Sequence, residues 1–322
     1  MPATRAKAPL SRRAACALLL GAAALSALRA ATPARSDTPA AAAAKIPGTA
    51  YFGTARYIEY VAGDLPIILT APHGGRLRPA AVADRKEGVT DMDANSQELA
   101  RALAAAFHAR TGAHVHLVAS HLHRAKLDPN REIKEAAQGE PAAELAWREF
   151  HASIAGALAA AVARHGFAFL VDLHGHSHPI ARLELGYALS SPQLNVTDTA
   201  FDRSGVIAVS TFRDLHARRG GSAGTLLRGP RSLGALFAAQ GFDAVPSPAM
   251  PDPGQHPYFS GSYIVRHHTA APHAAAVSGL QIECHRIGLR DTEENRAKFA
   301  RAAAEVLLTF LQENYAYTAP KK

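Results

Sequence analysis

The chain has 322 residues, a formal net charge of +8, 48% hydrophobic residues and only 7% aromatic residues. Arg5, Lys7, Arg12, Arg13, Arg29 and Arg35 all fall in residues 1–36, which contain no acid, so without those six charges the remainder carries +2. A charge that near neutral excludes an electrostatic case for nucleic-acid binding, and the length suits one large α/β domain better than two small ones.

Residues 1–36 read as an export signal. A basic segment ends at Arg12–Arg13, an apolar stretch runs from Ala14 to Leu28, and small residues follow, with cleavage expected after Ala24, Ala30 or Ser36. Ser11-Arg12-Arg13 fits a twin-arginine signal as well as an ordinary secretory one. The apolar stretch is too short and alanine-rich for a membrane span, so the mature protein is expected to be periplasmic or secreted, with no stable span. Residues 37–49 read as a linker, 50–316 as the folded domain and 317–322 as a tail. Cys16 falls in the leader, so only Cys284 remains and no internal disulfide is expected.

Within the domain, short apolar runs alternate with longer helical patterns, as in a sheet covered by helices. The expected strands are Pro66–Thr70, His114–Ala119, Phe167–Leu173, Gly205–Ser210 and Gly279–Glu283. The expected helices are Asn95–Arg110, Glu140–Arg164, Ser232–Ala239 and Thr292–Asn314, the first starting at Ser96 as a small polar cap. Residues 246–262, rich in Pro, Gly and Ser, read as a long ordered loop over the site.

Three of these strands end in polar clusters: Pro72-His73-Gly74-Gly75-Arg76, Asp172-Leu173-His174-Gly175-His176-Ser177-His178, and Gln281-Ile282-Glu283-Cys284-His285-Arg286. In open α/β sheets ligands bind beyond the carboxyl ends of the strands, so these groups converge. Two neutral imidazoles and a carboxylate form the protein shell of many hydrolytic zinc sites, and a separate acid must then move the proton of the attacking water. His73, His174 and Glu283 fill three of those four places. The ligating acid is expected near Asp91-Met92-Asp93. Taken singly, each histidine also reads as a hydrogen-bonded structural residue, the 174–178 histidines as an adventitious metal-binding loop, and Glu283 as a buried acid paired with Arg286. Cys284 alternates with Glu283 along the strand and so faces the interior if the glutamate faces the site. Asp172 shares the face of His174 and is placed to orient it, or is structural.

The ordered set PHGG (72–75), D-x-D-x-x-x-x-x-L (Asp91 to Leu99), R-x-x-x-D-x-N-R (Arg124 to Arg131), DLHGH (172–176) and QIE (281–283) resembles the N-formylglutamate amidohydrolase family. The resemblance spans residues 50–315, and that family is similar to zinc carboxypeptidases and phage-type poly-γ-glutamate hydrolases. It implies a single α/β domain with a central mixed sheet flanked by helices, of the zinc carboxypeptidase-like (phosphorylase/hydrolase-like) fold. It further implies a Zn2+ cofactor and cleavage of an amide bond in an N-acyl or γ-linked acidic amino acid. The substrate expected is therefore a small molecule or peptide bearing a carboxylate.

Residue by residue, the resemblance implies metal ligation by His73, Asp93 and His174, with Asp91 as the rival acid, and Glu283 as the catalytic glutamate. Asn130 and Arg131 match a pair that holds a substrate carboxylate, and Arg124 an arginine that steadies the oxyanion. Arg286 is counted with the substrate-binding residues. An arginine fork suits a carboxylate because it donates two parallel hydrogen bonds. The alternative for Arg131 is a salt bridge with Glu132 or Glu135. The chain also departs from the pattern: Arg76 stands where carboxypeptidases place their acid, and Gly261-Ser262-Tyr263 replaces a GGY segment that bears on substrate size. An export signal points away from the cytosolic deformylases of histidine breakdown and towards extracellular peptides, acyl amino acids or cell-wall fragments. Two other readings are a peptidase on peptidoglycan or poly-γ-glutamate, and an exported binding protein without turnover. Glu283 speaks against the binder, which needs no acid beside the metal.

Overall fold

The computed structural model describes residues 45–270 and 276–322. Its centre is an eight-stranded mixed sheet in the order β1-β2-β4-β3-β5-β8-β6-β7. The strands are β1 (Ala50–Phe52), β2 (Ile58–Val61), β3 (Ile67–Ala71), β4 (His116–Ser120), β5 (Ala168–His176), β6 (Leu183–Gly186), β7 (Ala244–Val245) and β8 (Val277–His285). The four central strands β4, β3, β5 and β8 run parallel, whereas β2 against β4 and β6 against β8 are antiparallel.

The long helices follow from apolar residues at helical spacing. In α1 (Ser96–Thr111), Leu99, Leu103 and Phe107 recur every four residues and are buried. Its first cap is Asn95, in the left-handed region at φ 65°, and not Ser96, which lies inside the helix. After α2 (Ile133–Ala137), α3 (Pro141–His165) opens with proline in its first turn and ends at Gly166, whose φ of 75° closes it. The stretch 191–239 is not strand-bearing. It folds into α4 (Ser191–Leu194), α5 (Asp198–Ser204), α6 (Arg213–Arg219), α7 (Ala223–Arg228) and α8 (Leu233–Ala239). The expected strand Gly205–Ser210 is a 3-10 turn over Val206–Val209: Ile207 alone of its four residues is buried, and Ser204 and Ser210 hydroxyls take its backbone partners. Two helices complete the chain, α9 (Tyr263–Thr269) and α10 (Glu293–Tyr315).

The sheet buries two separate cores. On one face Ile67, Leu69, Phe169, Val171 and Leu173 pack with Leu103 and Phe107 of α1 and with Leu307 and Phe310 of α10. On the other, Ile68, Ala168, Leu170 and Val277 pack with Phe150 and Ile154 of α3 and with Ile264 and Val265 of α9. Strand alternation carries the second set onward to Thr70, Asp172, His174, Gln281 and Glu283. The face covered by α3 and α9 thus changes from aliphatic to polar at the carboxyl ends of the parallel strands. Register aligns the change: Thr70 is beside Asp172, Asp172 beside Gln281, and His174 beside Glu283. Cys284, on the opposite parity, is buried in the first core, where burial pushes its thiol far up. It is not placed to be a nucleophile.

Candidate metal centre and active site

His73 leaves the end of β3 and is 1% exposed. The glycines behind it are there for space. A Cβ on Gly75 would lie 2.4 Å from the backbone of His121 and Leu122, so no larger residue lets the loop lie against the segment after β4. The His73 main-chain oxygen accepts from the Asp93 amide at 3.0 Å, which folds 91–95 over the imidazole and sets Asp93 at the entry to α1.

Two imidazoles and one carboxylate meet there. His73 Nδ1 lies 3.4 Å and His174 Nδ1 3.2 Å from the same Asp93 oxygen, Oδ2. The rings are 4.7 Å apart and inclined at 73°. Each histidine is held from behind by a buried acid: His73 Nε2 by Asp128 Oδ1 at 2.6 Å, and His174 Nε2 by Asp172 Oδ2 at 2.9 Å. A carboxylate accepts only, so each Nε2 carries a proton, and each Nδ1 is the atom turned to the common point, where it would give its lone pair to a bound cation. Asp172 is fixed in turn by Thr70 Oγ1, which donates to Oδ1 at 2.6 Å. Asp91 is exposed and takes no part in this triangle.

The arrangement fits a divalent cation. Ligand atoms of His73, Asp93 and His174 all lie within 4.8 Å of one another. Among the described residues, His73 Nδ1 is buried with no hydrogen-bond partner, as is Glu283 Oε2. Four acids, Asp93, Asp128, Asp172 and Glu283, are buried around the point, with Arg85, Arg124 and Arg290 as buried cations beside them. An isolated buried charge costs too much to stand unpaired. Burial works to raise Asp93, but His73 and His174 beside it outweigh this and hold its carboxyl far below the usual range.

Glu283 stands across the register from His174 and is 4% exposed. Gln281 Nε2 donates to its Oε1 at 2.8 Å, and the side-chain oxygen of Gln281, its own Oε1, accepts from the Ser262 amide at 3.0 Å. One carboxylate oxygen is thereby fixed and the other is left without a protein donor. Burial raises this carboxyl well above its ordinary range, against the pull of His174. Both residues line a cavity of about 440 Å³ together with His73, Asp93, Arg124 and Arg131.

The three candidate arginines separate. Arg124 donates through Nε to Asp128 at 3.0 Å, and its Nη1 is 3.6 Å from Asp93 Oδ1, so it belongs to the centre. Arg131 lines the cavity but pairs with Glu135 at 3.0 Å, the alternative foreseen for it, and donates to Ser262 Oγ at 2.9 Å. Its neighbour Asn130 is 2% exposed, and its Oδ1 accepts from the Ile264 amide at 2.8 Å while its amide lies against His174. Arg286 is a correction. It is exposed, outside the cavity, and pairs with neither substrate space nor Glu283. The chain turns at Gly288, φ 79°, and returns Arg290 instead. Arg290 is 3% exposed, lines the cavity, and bonds the carbonyls of Ala94, His176 and Cys284. A Cβ on Gly175 would fall 2.3 Å from its Cζ, so that glycine makes room for the guanidinium.

The remaining histidines of the 174–178 cluster turn elsewhere. His176 donates through Nε2 to the Arg182 carbonyl at 2.8 Å and accepts from the His178 amide, which uses both ring nitrogens. His178 bonds buried Glu184 at 2.9 Å and stacks on Phe259, a residue of the irregular 246–262 loop that lines the cavity. Asp128, Gln281 and Arg290 were not singled out from sequence. The first two sat inside quoted motifs, and the signal for Gln281 was its parity with Glu283.

No family model matches the chain, and no match was found among curated proteins. Among solved structures, an N-formylglutamate amidohydrolase from Ralstonia eutropha JMP134 is similar at a TM-score of 0.51, with 16% identity over 80% of this chain and 98% of that one. This chain has that fold. An N-acetylmuramyl-L-alanine amidase from Mycobacterium smegmatis matches at a TM-score of 0.33 and 14% identity over 77% of this chain and 97% of that one, too distant to weigh.

Proposed function

We propose that the chain is a zinc-dependent amidohydrolase that cleaves an N-acyl or γ-linked acidic amino acid, in the manner of the N-formylglutamate amidohydrolases. The observation that carries the reading is the convergence of His73 Nδ1, Asp93 Oδ2 and His174 Nδ1, each histidine backed by a buried acid, beside a fourth acid, Glu283, with one oxygen unpartnered. Nitrogen and carboxylate donors suit zinc, and the fold likeness supports the choice of reaction. Bound there, zinc supplies Lewis acidity towards the scissile carbonyl and acidifies water.

The chain's own residues do the rest. Glu283 accepts the proton of the attacking water at Oε2 and returns it to the leaving nitrogen. Gln281, by holding Oε1, keeps that carboxylate in one orientation. Arg124 offers a guanidinium to charge developing on the carbonyl oxygen. Arg131 anchors the substrate carboxylate; its pairing with Glu135, a half-exposed acid, is the kind of surface ion pair worth at most about 1 kcal/mol and gives way to a competing carboxylate. A cavity of about 440 Å³ suits a small acidic amide. We place the activity outside the cytoplasm on the strength of residues 1–36, which lie outside the described residues. Among the described residues no helix is long and apolar enough to cross a membrane.

Chelated and zinc-restored protein should be screened against N-formyl- and N-acylglutamate, γ-glutamyl peptides and muropeptides. We expect hydrolysis of an acidic amide that chelation abolishes and zinc restores. Turnover of muropeptides alone would make it a cell-wall peptidase. No turnover by folded, zinc-loaded protein would leave a binding protein.

A further inference from the structure

A second group of imidazoles shares no residue with the Asp93 centre. His151 of α3 and His268 of α9 are 5% and 6% exposed, and His267 of α9 is at the surface. Ring nitrogens of all three lie within 4.8 Å of one another. His151 Nδ1 and His268 Nε2 are 2.9 Å apart, with the two rings nearly parallel at 18°. A cavity of about 610 Å³ adjoins them, walled by Ala152, Ala155 and Ala159 of α3.

We propose that His151, His267 and His268 form a second zinc-binding site. The decisive detail is behind His151. Its Nε2 lies 3.0 Å from the Pro129 carbonyl, which only accepts, so Nε2 carries the proton and Nδ1 turns its lone pair to the other two histidines. A ligating histidine that donates its far nitrogen to a backbone carbonyl is the arrangement found around protein metals, because it fixes tautomer and ring orientation together. Three imidazoles without a carboxylate favour zinc, copper or nickel over magnesium, calcium or manganese. The burial of two of the three also gives a metal a low-dielectric setting.

The position gives such a cation a task. His151 holds Pro129, and α9 gives its Ile264 amide to Asn130 Oδ1 at 2.8 Å. Both contacts fall on the segment that carries Asp128, the acid behind His73. A zinc joining α3 to α9 fastens that segment from outside the reaction. This site is independent of the proposed reaction, since it binds metal whether or not Asp93 does.

The test is zinc stoichiometry on tag-free full chain, equilibrated with zinc and freed of excess by gel filtration. Wild type should hold about two equivalents. Asp93→Ala and His268→Ala should each hold about one, and the double variant none. His267→Ala and His151→Gln, checked for folding by circular dichroism and melting, should weaken one equivalent by at least about 10-fold. If His268→Ala is unstable, the exposed His267→Ala carries the decision. One equivalent in wild type, lost in Asp93→Ala and untouched in the three histidine variants, would overturn the second site. Metal kept in Asp93→Ala but lost in His268→Ala would uphold it and overturn the Asp93 centre instead.

Discussion

Asp128→Asn separates the work of the acid behind His73 from the work of the ligands. Asp128 accepts from His73 Nε2 at 2.6 Å, Arg124 Nε at 3.0 Å and the Asn130 amide at 3.0 Å, with Arg85 at 4.0 Å. Asparagine keeps the volume and one acceptor oxygen but removes the charge. His73 becomes a less basic and less firmly oriented ligand, which should weaken zinc about 10- to 100-fold, or about 1.4–2.7 kcal/mol. Arg124 and Arg85 lose their shared counter-charge, so apo stability should fall too, with about 3–5 kcal/mol as the ceiling for a buried pair broken from one side. Burial favours a neutral Asp128, yet His73 and Arg124 hold it ionised far below its ordinary range, so the charge is present to be lost. Competition with a fluorescent chelator reads the first effect and melting with and without zinc the second. Wild-type zinc affinity in a folded Asp128→Asn protein would refute the reasoning.

Arg131→Ala should lower kcat/KM for carboxylate substrates about 10-fold, less than a fully buried clamp would lose, and leave amidated analogues unchanged. Equal losses on both would make the residue structural. Arg290→Ala should cost about 2–4 kcal/mol in a denaturant titration, because three carbonyls lose a charged donor, and lysine should not rescue it. Arg286→Ala should stay within about 0.5 kcal/mol of wild type. His116, whose Nδ1 accepts from the Gly63 amide and Tyr60 hydroxyl, is lowered by burial to about 4. Between its unfolded value near 6.5 and about 4 the unfolded chain binds the extra proton, so its stabilisation is full above that window and falls with pH through it. His116→Gln should flatten that slope in melts between pH 7 and 4; an unchanged slope would rule the residue out.

The central parallel strands were legible because each is a short apolar run ending in polar residues, and their parity alone put Cys284 away from Glu283. The outer strands were not. β1 and β6 are short, and β7 has two residues, so they form by pairing with neighbours and leave no periodic trace. Gly205–Ser210 misled because an apolar run beside glycine looks the same in a strand and in a 3-10 turn. At the site, strand-end position brought out His73, His174 and Glu283. Asp128 depends on a fold-back of the 124–131 segment that no spacing rule encodes. Arg286 and Arg290 exchange places for a similar reason: the positive φ of Gly288 decides which returns to the sheet.

Glu283→Gln tests the account most directly, with zinc content and turnover measured on one sample. The amide preserves shape and the Gln281 contact but cannot take a proton. The variant should keep its zinc and near-normal substrate affinity while turnover falls by roughly 10²–10⁴-fold, the scale for losing a positioned acid–base group. Turnover near wild type in a zinc-loaded variant, or loss of the metal itself, would contradict the assignment of Glu283 as the acid that moves the proton.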